Sequence, residues 1–87
     1  MDYQERRRLE SLANELVSKD EIKITLADVH VVLDCIKQLA GDDETAHGIE
    51  DSLHQAVLRA FARGVVDRTL AAAALTTLKI EFARWCA

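Results

Sequence analysis

A run of ten residues without a charged side chain, from Thr69 to Leu78, constrains the fold more than any other stretch of this chain. Its alanines and leucines favour helix, and a helix without charge on any side is either buried on several sides or spans a membrane. The run is too short to cross a bilayer. An apolar stripe at helical spacing follows through Leu75, Leu78, Phe82 and Trp85. The sequence therefore predicts a helix from Thr69 to Trp85 at the centre of the fold.

Composition restricts the rest of the chain to helices. The 87 residues include no proline and three glycines, so the turn residues that an all-β fold needs about every ten positions are missing. Residues that favour helix, such as alanine, leucine and glutamate, are abundant. We therefore expect an all-α fold, a compact bundle of about four helices arranged as two helical hairpins, with the C-terminal helix central and a single domain over residues 1–87.

The first two helices have recognisable start signals. Helix one is expected over Asp2–Ser18, with its first residue as the N-cap. Lys19–Ile24 is expected to be a connector. Helix two is expected to begin at Thr25, because Thr25 and Asp28 match a capping box. It is expected to end at Gly41, which can adopt the left-handed conformation of a helix C-cap.

Helix three is expected to start between Asp43 and His47, to reach Arg63 and to end at Gly64. Asp67 is the expected N-cap of helix four. The periodicity of helix three assigns these residues to the core: Ile49, Leu53, Ala56, Val57, Ala60 and Phe61.

No motif in the chain indicates catalysis or cofactor binding, and we expect neither. Cys35 and Cys86 lie far apart without a CxxC spacing, so neither a disulfide framework nor a zinc site is indicated. His47, Asp51 and His54 could share a helix face and hold a transition metal. They lack a HExxH motif and a fourth ligand, so we expect an exposed polar face there. No apolar segment follows the charged N-terminus, so neither a signal peptide nor a membrane anchor is expected.

The hairpin between helices three and four reads Ala60-x-x-x-Gly64-Val65-x-x-x-Thr69-Leu70. This spacing resembles the helix-turn-helix signature of bacterial repressors, over this hairpin alone. The resemblance implies a transcriptional regulator with arginines on phosphates, namely Arg6, Arg7, Arg8, Arg63 and Arg68. Its recognition helix would present leucine and four alanines, without the arginine, asparagine or glutamine that reads base edges. Since the net charge of −4 also disfavours nucleic acid, DNA binding is an alternative here and not the main expectation.

More apolar surface is present than a simple antiparallel bundle needs, which indicates a partner. The acidic residues expected to steer a basic partner are Asp42, Asp43, Glu44, Glu50 and Asp51. The apolar residues expected to contact it are Val31, Cys35, Leu58 and Ala62. Self-association, giving an isologous dimer, is expected through Ala71, Ala73 and Ala74.

These patterns favour a small acidic protein-binding module in the cytoplasm that acts by occupying a surface of another protein. In size and charge the chain resembles bacteriocin immunity proteins and phage-encoded inhibitors such as anti-CRISPR proteins, and this resemblance implies an inhibitor-like protein without enzymatic activity. Two alternatives stay open: a homodimeric structural or scaffold protein, and a transcriptional regulator that uses the helix-turn-helix hairpin.

Overall fold

The computed structural model describes residues 2–18, 24–64, 68–82 and 84. Four α-helices and a final 3-10 turn lie in this part of the chain, which contains no strand. The helices are α1 (Tyr3–Val17), α2 (Leu26–Gln38), α3 (Asp43–Ala62) and α4 (Arg68–Leu75), and the 3-10 turn covers Thr76–Lys79. The predicted all-α bundle is therefore confirmed. None of these helices combines the length and the apolar character needed to cross a membrane.

The start signals of the first two helices work as predicted. The backbone N–H of Glu5 donates to the Asp2 carboxylate at 2.8 Å, which caps α1. At α2 the capping box is complete: the Asp28 N–H donates to the Thr25 hydroxyl at 3.2 Å, and the Thr25 N–H donates to the Asp28 carboxylate at 3.1 Å. Such caps satisfy N–H groups that have no partner inside the helix, and each stabilises it by about 1 kcal/mol.

Helices α2 and α3 form the middle of the bundle, because each packs against the three other helices, whereas α4 packs mainly against these two. The largest fully enclosed apolar side chains lie on these two helices and at the end of α2: Val29, Val32, Ile36, Leu39 and Leu53. Full burial of an aliphatic side chain of this size stabilises the fold by about 1.5–3 kcal/mol. The core therefore lies between α2 and α3, and α4 contributes Leu70 and Ala74 to it.

The buried stripe of α3 is narrower than predicted. Its buried apolar residues are Ala46, Ile49, Leu53, Ala56 and Ala60, and Val57 packs against the core while partly exposed. The prediction for Phe61 is wrong, since most of its side chain is exposed. Phe61 directly follows Ala60, so it points about 100° further round the helix and away from the core.

The predicted helix over Thr69–Trp85 is wrong in its second half. Helix α4 ends at Leu75, four residues follow as a 3-10 turn, and Ile80 has extended backbone angles (φ −85°, ψ 124°). The Thr76 hydroxyl donates to the Ala73 carbonyl at 2.6 Å. A threonine hydroxyl bound to the preceding turn in this way competes with the regular helix ladder. Tertiary contacts of the segment after Leu75 complete the change of direction, as described for the site below.

The apolar stripe predicted along this helix does not form in the described residues. Leu75 and Leu78 are mostly exposed, whereas Phe82 packs against the core. Trp85 and the predicted N-cap Asp67 lie outside the described residues, as do residues 19–23 of the predicted connector.

The two glycines predicted to end helices behave differently. Gly64 follows α3 with a φ of +94°, which is the left-handed conformation expected of it. The prediction for Gly41 is wrong, because Gly64 is the glycine with positive φ in the described part of the chain. Helix α2 ends earlier, with Leu39 as its C-cap, and the Asp42 N–H donates to the Leu39 carbonyl at 2.8 Å. A turn closed by this hydrogen bond needs no left-handed residue.

Candidate functional site

A buried ion pair joins α3 to the end of the described chain. Glu50 is 3% exposed, and its carboxylate accepts hydrogen bonds from Arg84 through both oxygens. Arg84 Nε lies 3.0 Å from Oε1 and 3.2 Å from Oε2, and Nη2 lies 3.0 Å from Oε2. The fork of a guanidinium matches a carboxylate in this arrangement. Glu50 was predicted to steer a basic partner, and that prediction is wrong because its carboxylate is buried and its charge is paired with Arg84 of its own chain.

Arg84 also binds the backbone of the segment that follows α4. Its Nη2 donates to the Thr77 carbonyl at 2.7 Å and to the Ile80 carbonyl at 2.9 Å, and Nη1 lies 3.5 Å from the Phe82 carbonyl. The centre of the guanidinium lies 4.0 Å from the centre of the Phe82 ring, a cation–π distance. One side chain thus binds α3 and three carbonyls of the segment that precedes it.

Thr77 and His54 continue this polar cluster towards α4. Thr77 is fully buried, and its hydroxyl lies 3.0 Å from Nε2 of His54. The same Nε2 lies 3.2 Å from the Ala74 carbonyl, which can only accept, so Nε2 carries the hydrogen and donates. Burial alone would raise the pKa of Glu50, but hydrogen bonds from Arg84 and Thr77, with the charges of Arg84 and His54, lower that pKa below its usual value.

The histidines do not assemble the metal site that their spacing permits. His54 turns towards α4, so His47 and Asp51 are left as a pair, with His47 Nε2 3.6 Å from Asp51 Oδ1. Potential ligand atoms of His47, Glu50 and Asp51 do lie within 4.8 Å of one another. Both Glu50 oxygens already bind Arg84, however, and a cation there would have to displace the guanidinium. His47 Nδ1 is buried and has no hydrogen-bond partner among the described residues.

The acidic loop before α3 is partly committed to the fold. The Asp42 carboxylate caps α3, since it accepts from the Thr45 N–H at 3.4 Å and from the Thr45 hydroxyl at 2.9 Å. Arg6 lies 3.9 Å from the same carboxylate. Asp43 is half-buried, and Glu44 is exposed.

Of the four apolar residues predicted to contact a partner, three are exposed and one is buried. Val31, Leu58 and Ala62 are exposed, as a contact with a partner requires. Cys35 is buried in the core, so its predicted role is wrong, and the pKa of its thiol is raised by burial and by the charge of Asp34. It lies only one turn from Val31, but Cys35 faces into the space between helices.

The predicted self-association surface on α4 is mostly used within the chain. Ala74 is buried and Ala73 is half-buried against the core, so most of the surface of both is already used within the chain. Ala71 is half-buried and lines a groove between α3 and α4.

Four large apolar side chains are mostly exposed among the described residues of the second half of the chain. They are Leu58 (67% exposed), Phe61 (59%), Leu75 (58%) and Leu78 (61%), and we call them the α3–α4 face. Leu58 and Leu75 line the groove from its two helices. Phe61 lies three residues after Leu58 on α3, and Leu78 lies three residues after Leu75 in the 3-10 turn, outside the residues that line the groove.

The groove itself has a volume of about 300 Å³ and an almost wholly apolar lining: His54, Val57, Leu58, Ala71, Ala74 and Leu75. The two alanines leave its floor open because their side chains end at Cβ. Apart from His54, the described residues that line it are apolar, so the arrangement suits the binding of an apolar group.

Sequence reasoning missed Arg84, Thr77, Phe61 and Leu75 as residues of this region. Arg84 and Glu50 are 34 residues apart, and no local pattern links a glutamate inside a helix to an arginine so far away. A weaker signal was present in the sequence: Glu50 falls next to Ile49 on the apolar side of α3, where an acidic residue needs a cationic partner.

Comparison of the chain with protein-family models, with curated proteins and with solved structures gave no significant match.

Proposed function

We propose that this chain is a small protein-binding module that docks an apolar helix of another protein onto the α3–α4 face. One observation supports the proposal most directly: two large exposed apolar side chains, Leu58 and Leu75, line one apolar groove from its two helices. Exposed apolar patches of this kind are typical of interaction sites. A groove between two helices is suited to the mode in which an amphipathic helix inserts its apolar side chains.

Charge near the face favours a partner helix with a basic residue beside its apolar anchor. Asp51 is exposed and precedes Leu58 by seven residues, so two helical turns place both on one side of α3. Asp43 and Glu44 lie in the first turn of α3, further from Leu58 than Asp51 does, and add negative potential at the N-terminal end of the helix. Lysine or arginine on the partner would be attracted to this end while its apolar side chains enter the groove.

A module of this kind would act by covering a surface that its partner needs, as an inhibitor does. The analogy with immunity proteins and phage-encoded anti-CRISPR proteins belongs to this proposal. A cytoplasmic location is also proposed, with Cys35 as a reduced core thiol.

A homodimeric scaffold is the second candidate, and the same face favours it. Leu58 and Leu75 project beside a groove floored by alanine, so a leucine of a second copy could enter the groove of the first in an isologous pair. The seam would then run through the groove residues Leu58, Ala71, Ala74 and Leu75, whereas Ala73 packs against the core.

The test compares two leucine substitutions that change the charge equally. Leu58→Glu places a carboxylate on the α3–α4 face, and Leu12→Glu places one on α1, where the leucine is also exposed. Affinity capture from lysate, with and without nuclease, is combined with a photoreactive benzoylphenylalanine at position 75. Mass spectrometry then identifies the peptide that is cross-linked at that position.

The proposal expects one protein to be cross-linked through an amphipathic peptide that contains lysine or arginine. It also expects capture to survive nuclease and Leu12→Glu but to be lost with Leu58→Glu. Capture that is equal for both variants contradicts the proposal. A cross-link between two copies of the chain, with a dimer in sedimentation, establishes the scaffold instead. Loss of all captured proteins after nuclease treatment would favour the transcriptional regulator that binds DNA.

A further inference from the structure

The segment that follows α4 is held to the bundle by few contacts. We call Thr76–Phe82 together with Arg84 the C-terminal strap. Ile80 and Phe82 pack against the core while partly exposed, and Leu78, Lys79 and Glu81 are exposed. Two polar contacts also fasten the strap: the buried Thr77 side chain, and the partly exposed Arg84 guanidinium on the buried Glu50.

Arg84 is suited to this task because its donors are divided between the strap and α3. It binds the Glu50 carboxylate from Nε and Nη2, and it binds the carbonyls of Thr77 and Ile80 from Nη2. Carbonyls at the end of a helical segment have no partner within that segment. Without Arg84, the Ile80 carbonyl would lose this donor, the Thr77 carbonyl would keep the Ile80 N–H, and the buried Glu50 carboxylate would keep Thr77 but lose its cationic partner.

The same network reaches the docking groove through two residues. Thr77 hydrogen-bonds His54, and His54 also donates to the Ala74 carbonyl. His54 and Ala74 line the groove. Thr77 therefore links the strap to His54 in the groove wall, beside the bond that His54 makes to the Ala74 carbonyl of α4.

We infer that Arg84 is a positioning residue for the α3–α4 face: by fastening the C-terminal strap onto Glu50, it holds the groove in the shape that receives a partner. Arg84 does not line the groove and acts through Thr77 and His54. The inference rests on the proposed function for its biological consequence. The structural part of the inference can be tested on the chain alone. It states that the strap opens separately from the helices and that the groove wall changes position when it does.

The experiment uses the full chain with Arg84→Gln, and with Arg8→Gln as a matched control on an exposed arginine of α1. Hydrogen exchange followed by mass spectrometry reports the protection of the strap relative to α2 and α3. Nuclear Overhauser effects between the His54 ring and the Thr77 methyl group report the groove wall. Neither readout needs the partner, so either can fail independently of the capture test.

In Arg84→Gln we expect strap amides to exchange close to the rate of an unstructured chain. Amides of α2 and α3 are expected to exchange at least about tenfold more slowly than the strap amides. The His54–Thr77 contact is expected to be lost. Arg8→Gln is expected to match the wild type in both measurements. Arg84→Lys keeps the charge without the guanidinium fork and should give intermediate protection.

Two results would overturn the inference. One is a strap in Arg84→Gln that remains as protected as α2 and α3, with the His54–Thr77 contact intact. The other is loss of the helical circular dichroism signal in that variant, because Arg84 would then be needed for the whole fold and not for a separable strap.

Discussion

At the scale of single residues, Glu50 is a carboxylate that stays ionised although it is buried. Transfer of a charge out of water is unfavourable by several kcal/mol, and a partner must offset it. Arg84 supplies that partner, with the Nε hydrogen shared between the two carboxylate oxygens and Nη2 donating to Oε2. Since the Arg84 side chain is 30% exposed, the pair is weaker than a fully enclosed one. We expect loss of one member to destabilise the fold by about 2–3 kcal/mol, below the roughly 3–5 kcal/mol of deeply buried pairs.

The lowered pKa of Glu50 makes this contribution dependent on pH. A carboxyl whose pKa is lower in the folded than in the unfolded chain stabilises the fold above its unfolded value, near 4.5. That stability is lost as the pH falls through the folded pKa. We therefore expect Glu50→Gln to be less stable than the wild type at pH 7, and the difference to shrink at about pH 3. Urea unfolding at both pH values measures it, and a difference that is the same at both would contradict the assigned role.

At the scale of helices and turns, the two glycines at helix ends provide a matched comparison. Gly64 has a φ of +94° and Gly41 does not have positive φ, and a methyl group at either position would meet no atom within 4 Å. Gly64→Ala should destabilise by about 1 kcal/mol, because alanine resists the left-handed conformation. Gly41→Ala should be neutral or stabilise by up to about 1 kcal/mol, because it restricts the unfolded chain. Thermal unfolding of both variants tests this, and equal destabilisation would show that the conformation is not the cause.

The same elements show which parts of the fold local sequence could predict. The capping residues Asp2, Thr25 and Asp28 act over three residues or fewer, and their predictions are confirmed. The end of α4 was missed because Thr77 and Arg84 are fixed by α3, far away in the chain. Helix propensity alone favours a helix that continues beyond the alanine-rich run, and the tertiary hydrogen bonds outweigh this preference.

The candidate site was predicted less well than the fold for a related reason. Spacing identified Leu58 and Ala62 as surplus to the core, and both are exposed. It could not separate Cys35 from its exposed neighbour Val31, because a helix in the middle of a bundle has neighbours on several sides. Leu75 was assigned to the core only because the helix was predicted to continue past it.

At the scale of the whole molecule, the exposed acidic residues favour the approach of a basic partner from one side of the protein. The net charge is −4, and Asp51 is exposed on the side of α3 that carries Leu58. A basic partner would be drawn towards the α3–α4 face by this local potential as well as by the total charge. The two contributions can be separated, because a charge can be reversed either near the face or far from it.

We expect Asp51→Lys to slow association with the cross-linked partner by roughly tenfold at low salt and to flatten its salt dependence. Glu15→Lys, on an exposed position of α1, changes the net charge by the same amount and should have a much smaller effect. Stopped-flow fluorescence or surface plasmon resonance, over a range of salt concentrations, measures the association rate constant of both variants. Equal slowing by the two variants would mean that net charge alone governs the encounter. Dissociation rates should change little in either variant, because the apolar groove holds the partner once it has arrived and Asp51 lies outside the residues that line it.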